Sequence, residues 1–213
     1  MKVIMINFNS NFVFFTACGS AKIDLVFILD ASTSVTEANF VLMKDFVKDF
    51  LKDADIDGGN VRVGIVIYST EVHLQFQLNT YFSKVDMYNA IDAIPYRYGS
   101  TNTADALEKM HSEMFTAANG DRPDVDNICF LVTDGVSNIN SRRTIPEGEE
   151  ARNKGIHMYV IGIGLTDYKE IDGIASRPVE ENRFAVDEFS ELDMLKEKVF
   201  AAFCGNLFLL FFR

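Results

Sequence analysis

The stretch that decides the fold is residues 23–34, which read IDLVFILDASTS. Its centre, Leu25–Leu29, is an apolar run without alternation, as is typical of a strand that is covered on both faces. Three later runs have the same character: Val61–Tyr68, Ile128–Val132 and Met158–Ile163. These four runs predict buried, mostly parallel strands at the centre of one sheet.

Two more strands are predicted from different patterns. Apolar and polar residues alternate strictly over Val72–Leu78, and only the short link Ser69–Glu71 separates this segment from the strand before it. That combination predicts a half-exposed strand in an antiparallel edge hairpin. A last short strand is predicted at Arg183–Val186.

Helices are predicted between the strands. Apolar residues three or four positions apart predict helices in three segments: Phe40–Leu51, Leu107–Phe115 and Phe189–Phe203. The segment Thr144–Glu147 reads as a capping box that opens a further helix, which Gly155 would end. Strands that alternate with helices predict an α/β fold, a doubly wound and mostly parallel sheet with helices on both faces.

Charge and length narrow the function classes. The 213 residues carry 31 Asp and Glu against 20 Lys and Arg, a net charge of −11. Such a chain repels phosphate backbones, and the sequence has no basic stripe to offset this, so we expect no nucleic-acid partner. The length suits one domain with a substantial core.

The two ends differ from the rest. Residues 1–21 have a basic start and a broken apolar run, and we interpret them as a degenerate secretory signal or as upstream sequence. Residues 205–213 form an apolar tail, which suggests a truncated longer chain. Its run Leu207–Phe212 is too short to span a bilayer, and we predict no membrane span. Cys18 and Cys204 flank everything between, and they are either a disulfide pair or two unrelated thiols.

Small oxygen donors gather where chemistry is expected. Ligands of open α/β sheets bind outside the carboxyl ends of the strands. The loops there include Asp30–Ser34 and Thr133–Gly135, and Gly99–Thr103 precedes a predicted helix. Two carboxylates and three hydroxyls are hard ligands, which suit Mg²⁺, Mn²⁺ or Ca²⁺ better than zinc or copper.

These same segments resemble a known family. Residues 23–34, Gly99–Leu107 and Leu131–Gly135 resemble the von Willebrand factor A domain, whose metal-ion-dependent adhesion site is spelled D-x-S-x-S, T and D. The resemblance extends over about residues 22–204, where we predict the domain. It is similar in character to the A domains of matrilins and of type VI or fibril-associated collagens.

The resemblance implies a ligand set, a strand order and a mode of binding. Carried over position by position, the metal ligands are Asp30, Ser32, Ser34, Thr101 and Asp134. The implied strand order is 3-2-1-4-5-6, with strand 3 as the antiparallel edge. The implied ion is Mg²⁺, with Mn²⁺ or Ca²⁺ as alternatives, and a carboxylate of a partner protein completes its coordination.

The sequence is compatible with three functions. The leading hypothesis is a secreted, extracellular adhesion module, not an enzyme, that binds an acidic residue of a matrix or cell-surface protein through the metal. The first alternative is a structural spacer of a multidomain matrix protein without a metal-dependent ligand. The second is a Mg²⁺-dependent phosphatase, but such enzymes need an aspartate two residues after the nucleophile, and Ser32 stands there.

Overall fold

One six-stranded sheet organises the part of the chain that the computed structural model describes, residues 22–199 and residue 202. The strands are β1 (Ile23–Asp30), β2 (Val61–Tyr68), β3 (Val72–Phe76), β4 (Asp126–Thr133), β5 (His157–Ile163) and β6 (Arg183–Val186). Their order is β3-β2-β1-β4-β5-β6, and each neighbouring pair is parallel except β2 with β3. The predicted sheet, its order and its antiparallel edge are confirmed.

Helices cover both faces of this sheet. Over the described residues they are α1 (Glu37–Phe50), α2 (Lys84–Asp92), α3 (Thr103–Lys109), α4 (Ser141–Asn153), α5 (Lys169–Ile174), α6 (Val179–Asn182) and α7 (192–199). A π-helical turn, Met110–Met114, continues α3. The predicted last helix starts with a 3₁₀ turn at Phe189–Glu191, and its predicted end, Phe203, lies outside the described residues.

The central strand β1 divides the interior into two cores. Alternate side chains of a strand point to opposite faces. Phe27 and Leu29 pack with α1, α2 and α7 on one face, whereas Val26 and Ile28 pack with α3, α4 and α5 on the other. All eight residues of β1 are buried. This double burial explains why Leu25–Leu29 read as an unbroken apolar run between Asp24 and Asp30.

Aromatic rings fix the register at the middle of the sheet. Phe27 of β1 lies opposite Phe130 of β4, which in turn lies opposite Tyr159 of β5. The ring centroids are 5.5 Å and 4.8 Å apart in stacked pairs, and Phe50 of α1 meets Phe130 edge-on at 4.9 Å. Such ring pairs add stability beyond the area they bury, so this ladder holds three strands and one helix together.

The predicted start of the fourth helix is wrong. We expected Thr144 to cap it, but α4 begins at Ser141, and Thr144 is fully buried inside the helix. Asn140 stands at the N-cap with a left-handed φ of 52°, and its amide donates to Asp105 at 3.1 Å. The contact across to α3 thus adds a first turn ahead of the capping pattern. Gly155, with φ 83°, does follow the end of the helix as predicted.

Other expectations are shifted or fall outside the described residues. Strand β3 ends at Phe76 rather than Leu78, because Gln77 already turns towards Thr80. Cys18, Cys204 and the two end segments lie outside the described residues, so the disulfide and the domain boundaries stay predictions. No helix in the described part is long and apolar enough to cross a membrane.

A buried ion pair closes the end of the sheet opposite to Asp30. The Asp24 carboxylate is fully buried and accepts from the backbone amide of Arg122 at 2.7 Å and from its Nε at 2.9 Å. The remaining guanidinium N–H groups donate to the carbonyls of Ile23, Gly59 and Asn60. Burial raises the pKa of Asp24, and the Arg122 bonds oppose that rise.

We predict that Arg122→Met lowers the free energy of unfolding by about 3–5 kcal/mol, because it removes the guanidinium charge from a buried carboxylate and one donor from each of three carbonyls. Chemical denaturation measures this. The matched control is Arg62→Met, which removes one bond to the Gly120 carbonyl and should cost about 1 kcal/mol. Equal losses in the two variants would contradict the structural role of the Asp24–Arg122 pair.

A half-buried histidine makes stability depend on pH. His157 Nε2 donates to Asn182 Oδ1 at 2.6 Å, and burial lowers the pKa of this imidazole below its usual 6.5. As pH falls through 6.5, His157 binds a proton in the unfolded chain but stays neutral in the folded chain until the pH is lower. The free energy of unfolding therefore decreases as the solution is acidified through this range.

We expect His157→Gln to weaken that pH dependence, since glutamine can donate the same bond without titrating. Urea denaturation at several pH values between about 5 and 8 measures it. His73→Gln, on the half-exposed edge strand β3, is the control for the substitution itself. An unchanged slope in His157→Gln would assign the pH dependence to another group.

Candidate metal centre

The site begins where the central strand ends. Asp30 is the last residue of β1 and is fully buried. The chain turns at once, so that the Ser32 amide donates back to Asp30 Oδ1 at 2.9 Å. This tight turn brings the Ser32 and Ser34 hydroxyl oxygens within 3.2 Å of each other. The pattern D-x-S-x-S therefore places its oxygen donors on one side of the turn.

A second carboxylate joins them from β4. Asp134 follows the last residue of that strand, which neighbours β1 in the sheet. The Ser34 hydroxyl donates to Asp134 Oδ1 at 2.8 Å. Residues 100 positions apart in the sequence thus meet at the carboxyl edge of the sheet, as the strand-end argument predicted.

Thr101 completes the group through the loop after Asp134. The Thr101 amide donates to Asn138 Oδ1 at 3.0 Å, and the Thr101 carbonyl accepts from the amides of Asn138 and Ile139. A Cβ built on Gly135 would lie 3.8 Å from Thr101 Oγ1 and 4.0 Å from Ser34 Oγ. The structure therefore brings all five predicted residues to one place. That they hold an ion remains a prediction.

Both carboxylates carry the electrostatic cost of burial. Burial raises the pKa of Asp134 to about 6, the Ser34 bond opposes the rise, and the charge of Asp30 adds to it. Burial also raises the pKa of Asp30, against bonds from Ser32, Thr133 and Tyr68. Within the described residues these partners are hydroxyls and amides, and neither aspartate forms an ion pair with Lys or Arg. A bound cation would offset this uncompensated charge.

The chemistry of the donors suits a hard divalent cation. Asp30 and Asp134 supply carboxylate oxygens, and the three hydroxyls of Ser32, Ser34 and Thr101 supply neutral ones, which is the ligand type that Mg²⁺ prefers. Nowhere in the described chain do three or more His, Cys, Asp or Glu side chains gather in a position to hold a metal. The candidate centre is therefore one in which hydroxyls outnumber carboxylates.

Three further side chains support the site, and sequence reasoning did not assign them a role. Thr133 Oγ1 lies 2.8 Å and Tyr68 OH 3.3 Å from Asp30 Oδ2. Tyr96 donates its hydroxyl to the Ser32 carbonyl at 2.9 Å. Thr133 and Tyr68 are the last residues of strands β4 and β2, which flank β1. A search of every strand end for hydroxyls would have found these two.

A known protein family matches most of this chain. The profile of the von Willebrand factor type A domain matches residues 24–198. The chain belongs to this family. Matrilin-3 of Gallus gallus is 32% identical over 198 residues, which cover 89% of this chain and 42% of that protein. The collagen alpha-4(VI) chain of Mus musculus is 32% identical over 194 residues, which cover 90% of this chain and 8% of that protein. The chain thus spans less than half the length of either relative.

Solved structures agree with the family assignment. Proximal thread matrix protein 1 from the mussel byssus superposes with a TM-score of 0.81 at 28% identity, covering 87% of this chain and 49% of that one. Another structure of the same mussel protein, with the same TM-score and identity, has a zinc-occupied MIDAS motif and is covered to 48%. A metal-ion-dependent adhesion site that holds a divalent ion therefore occurs in a similar protein.

We predict that Asp30→Asn raises the melting temperature in EDTA by roughly 2–4 °C, equivalent to about 1 kcal/mol for a domain of this size, because an amide is less costly to bury than a carboxylate. The Thr133 and Tyr68 hydroxyls can rotate to accept from the new amide. Calorimetry with Asp124→Asn as the exposed control checks it. A lower melting temperature in Asp30→Asn would show that the buried charge is not a cost.

Proposed function

We propose that this A domain is a protein-binding module that holds Mg²⁺ on Asp30, Ser32, Ser34, Thr101 and Asp134 and uses it to bind an acidic residue of a partner protein. The observation that carries the proposal is the convergence of one buried and one half-buried carboxylate, without a cationic partner among the described residues, on three hydroxyls at the sheet edge. An ion held by few carboxylates keeps much of its positive charge, so it attracts a further carboxylate strongly.

The surroundings of the site favour a macromolecular ligand. Ser34 is exposed, and the two loops beside it present apolar side chains to solvent: Tyr98 is 72% exposed and Val136 is 52% exposed. Next to Asp134, a groove of about 400 Å³ runs between α1 and the loop before α7. Tyrosine is enriched at protein-binding surfaces, so the exposed Tyr98 beside the site favours a protein ligand.

The relatives support a location and a partner in the extracellular matrix. Matrilins and a type VI collagen chain are similar to this chain over most of its length. We therefore propose an extracellular location, a matrix or cell-surface partner, and binding rather than catalysis. We further propose that the domain occupies about residues 22–204 and that Cys18 and Cys204 close it with a disulfide, with two separate thiols as the alternative.

Thermal unfolding of the full chain against Mg²⁺ concentration tests the site. At a hundred times its dissociation constant, Mg²⁺ should stabilise the folded state by about 2.7 kcal/mol, because only the folded chain brings the ligands together. We expect this stabilisation in the wild type, its loss in Asp134→Ala, and its retention in the exposed control Asp124→Ala.

The two outcomes separate the competing functions. A Mg²⁺-dependent shift that Asp134→Ala abolishes supports the metal centre, and acidic protein ligands are then compared for binding in Mg²⁺ and in EDTA. No shift in the wild type at several millimolar contradicts an ion held by the chain alone. That result would favour a structural spacer that contributes to matrix assembly through other surfaces.

A further inference from the structure

A buried chain of hydroxyls runs beneath the candidate metal centre. Thr103 Oγ1 lies 3.4 Å from Tyr68 OH, Tyr68 OH lies 3.3 Å from Asp30 Oδ2, and Thr133 Oγ1 lies 2.8 Å from the same carboxylate oxygen. The Gly135 amide donates to Thr133 Oγ1 at 3.2 Å. Tyr68 is fully buried, and Thr103 and Thr133 are each 1% exposed. Such a chain is therefore shielded from water.

The number of protons on each group determines which group donates in each bond between these hydroxyls. Each hydroxyl has one proton, and an ionised carboxylate only accepts. Tyr68 therefore donates to Asp30 and accepts from Thr103. Thr133 also lies 3.0 Å from the Gly135 carbonyl, but the bond to the carboxylate is shorter and charge-assisted. Thr133 thus donates to Asp30 and accepts from the Gly135 amide, so both branches point their protons at Oδ2.

These hydrogen-bonded hydroxyls connect the three loops that bear the predicted ligands. Asp30 opens the first loop, Thr103 is the first residue of α3 and lies two positions after Thr101, and Gly135 directly follows Asp134. Tyr68 belongs to none of these loops, yet it links the first to the second from strand β2. A shift of one loop would therefore break or lengthen a bond that holds another.

We propose that Tyr68, Thr103 and Thr133 are positioning residues of the metal centre, which fix the Asp30 carboxylate and set the three ligand-bearing loops relative to one another. The inference rests on the proposed function, since it concerns the same centre. Hydrogen-bonded partners behind metal ligands commonly change metal affinity by about 10–100-fold when they are removed.

Calorimetric titration of the full chain with Mn²⁺ and with Mg²⁺ tests the inference. We expect the dissociation constants to rise at least about tenfold in Tyr68→Phe and in Thr133→Val, because each removes one hydroxyl from Asp30. Thr133→Ser keeps the hydroxyl and should restore an affinity close to that of the wild type. Loss of shape alone would not give this pattern, since Thr133→Val preserves the side-chain volume better than Thr133→Ser.

Matched controls lie away from the centre. Tyr88→Phe removes a hydroxyl that donates to the Lys48 carbonyl at 2.8 Å. Thr144→Val removes a buried hydroxyl for which the described residues offer no hydrogen-bond partner. Both should bind metal like the wild type. Melting curves in EDTA establish that every variant is folded, and Thr103→Val takes the place of Tyr68→Phe if that variant is not.

The titrations distinguish the positioning role of these hydroxyls from the existence of the metal centre. Wild-type affinity in both Tyr68→Phe and Thr133→Val, with binding intact in the wild type, overturns the positioning role and leaves the metal centre standing. Weak binding in Thr133→Ser that equals Thr133→Val also overturns it. Absence of binding in the wild type overturns the metal centre itself and the inference with it.

Discussion

The interaction on which the site depends is the burial of the Asp30 carboxylate at the end of the central strand. Charged groups are rarely placed in an interior unless several donors meet them. Here the donors come from the turn after β1 and from the two strands beside it, through Ser32, Tyr68 and Thr133. The order of the strands is therefore also a condition for this hydrogen bonding, because β1 must lie between two strands for Asp30 to have a neighbour on each side.

Much of this arrangement could be predicted from the chain itself. Apolar runs such as Val61–Tyr68 marked the buried strands to within two or three residues, because a strand covered on both faces can tolerate few polar side chains. The meeting of Asp30 with Asp134 followed from the rule that parallel strands end at one edge. The strand order itself came from family resemblance, since periodicity alone does not say which strand lies beside which.

Other features depend on contacts that a linear pattern does not contain. The start of α4 is set by Asn140 and Asp105, which lie 35 positions apart, and so the local capping pattern at Thr144 was misleading. The roles of Tyr68 and Thr133 likewise require the register of β2 and β4 against β1 and the direction of each hydroxyl. Residues that act through another residue are the hardest to read from sequence, because their own chemistry is ordinary.

Two tyrosines that contact the first loop also link the candidate metal centre to the fluorescence of the protein. The protein has seven tyrosines and no tryptophan, so tyrosine dominates its intrinsic fluorescence. Tyr96 donates its hydroxyl to the Ser32 carbonyl, and Tyr68 donates its own to the Asp30 carboxylate. A carboxylate acceptor quenches an excited phenol. Changes in the loop that carries Ser32 and Ser34 are thus coupled to the emission of the unlabelled protein.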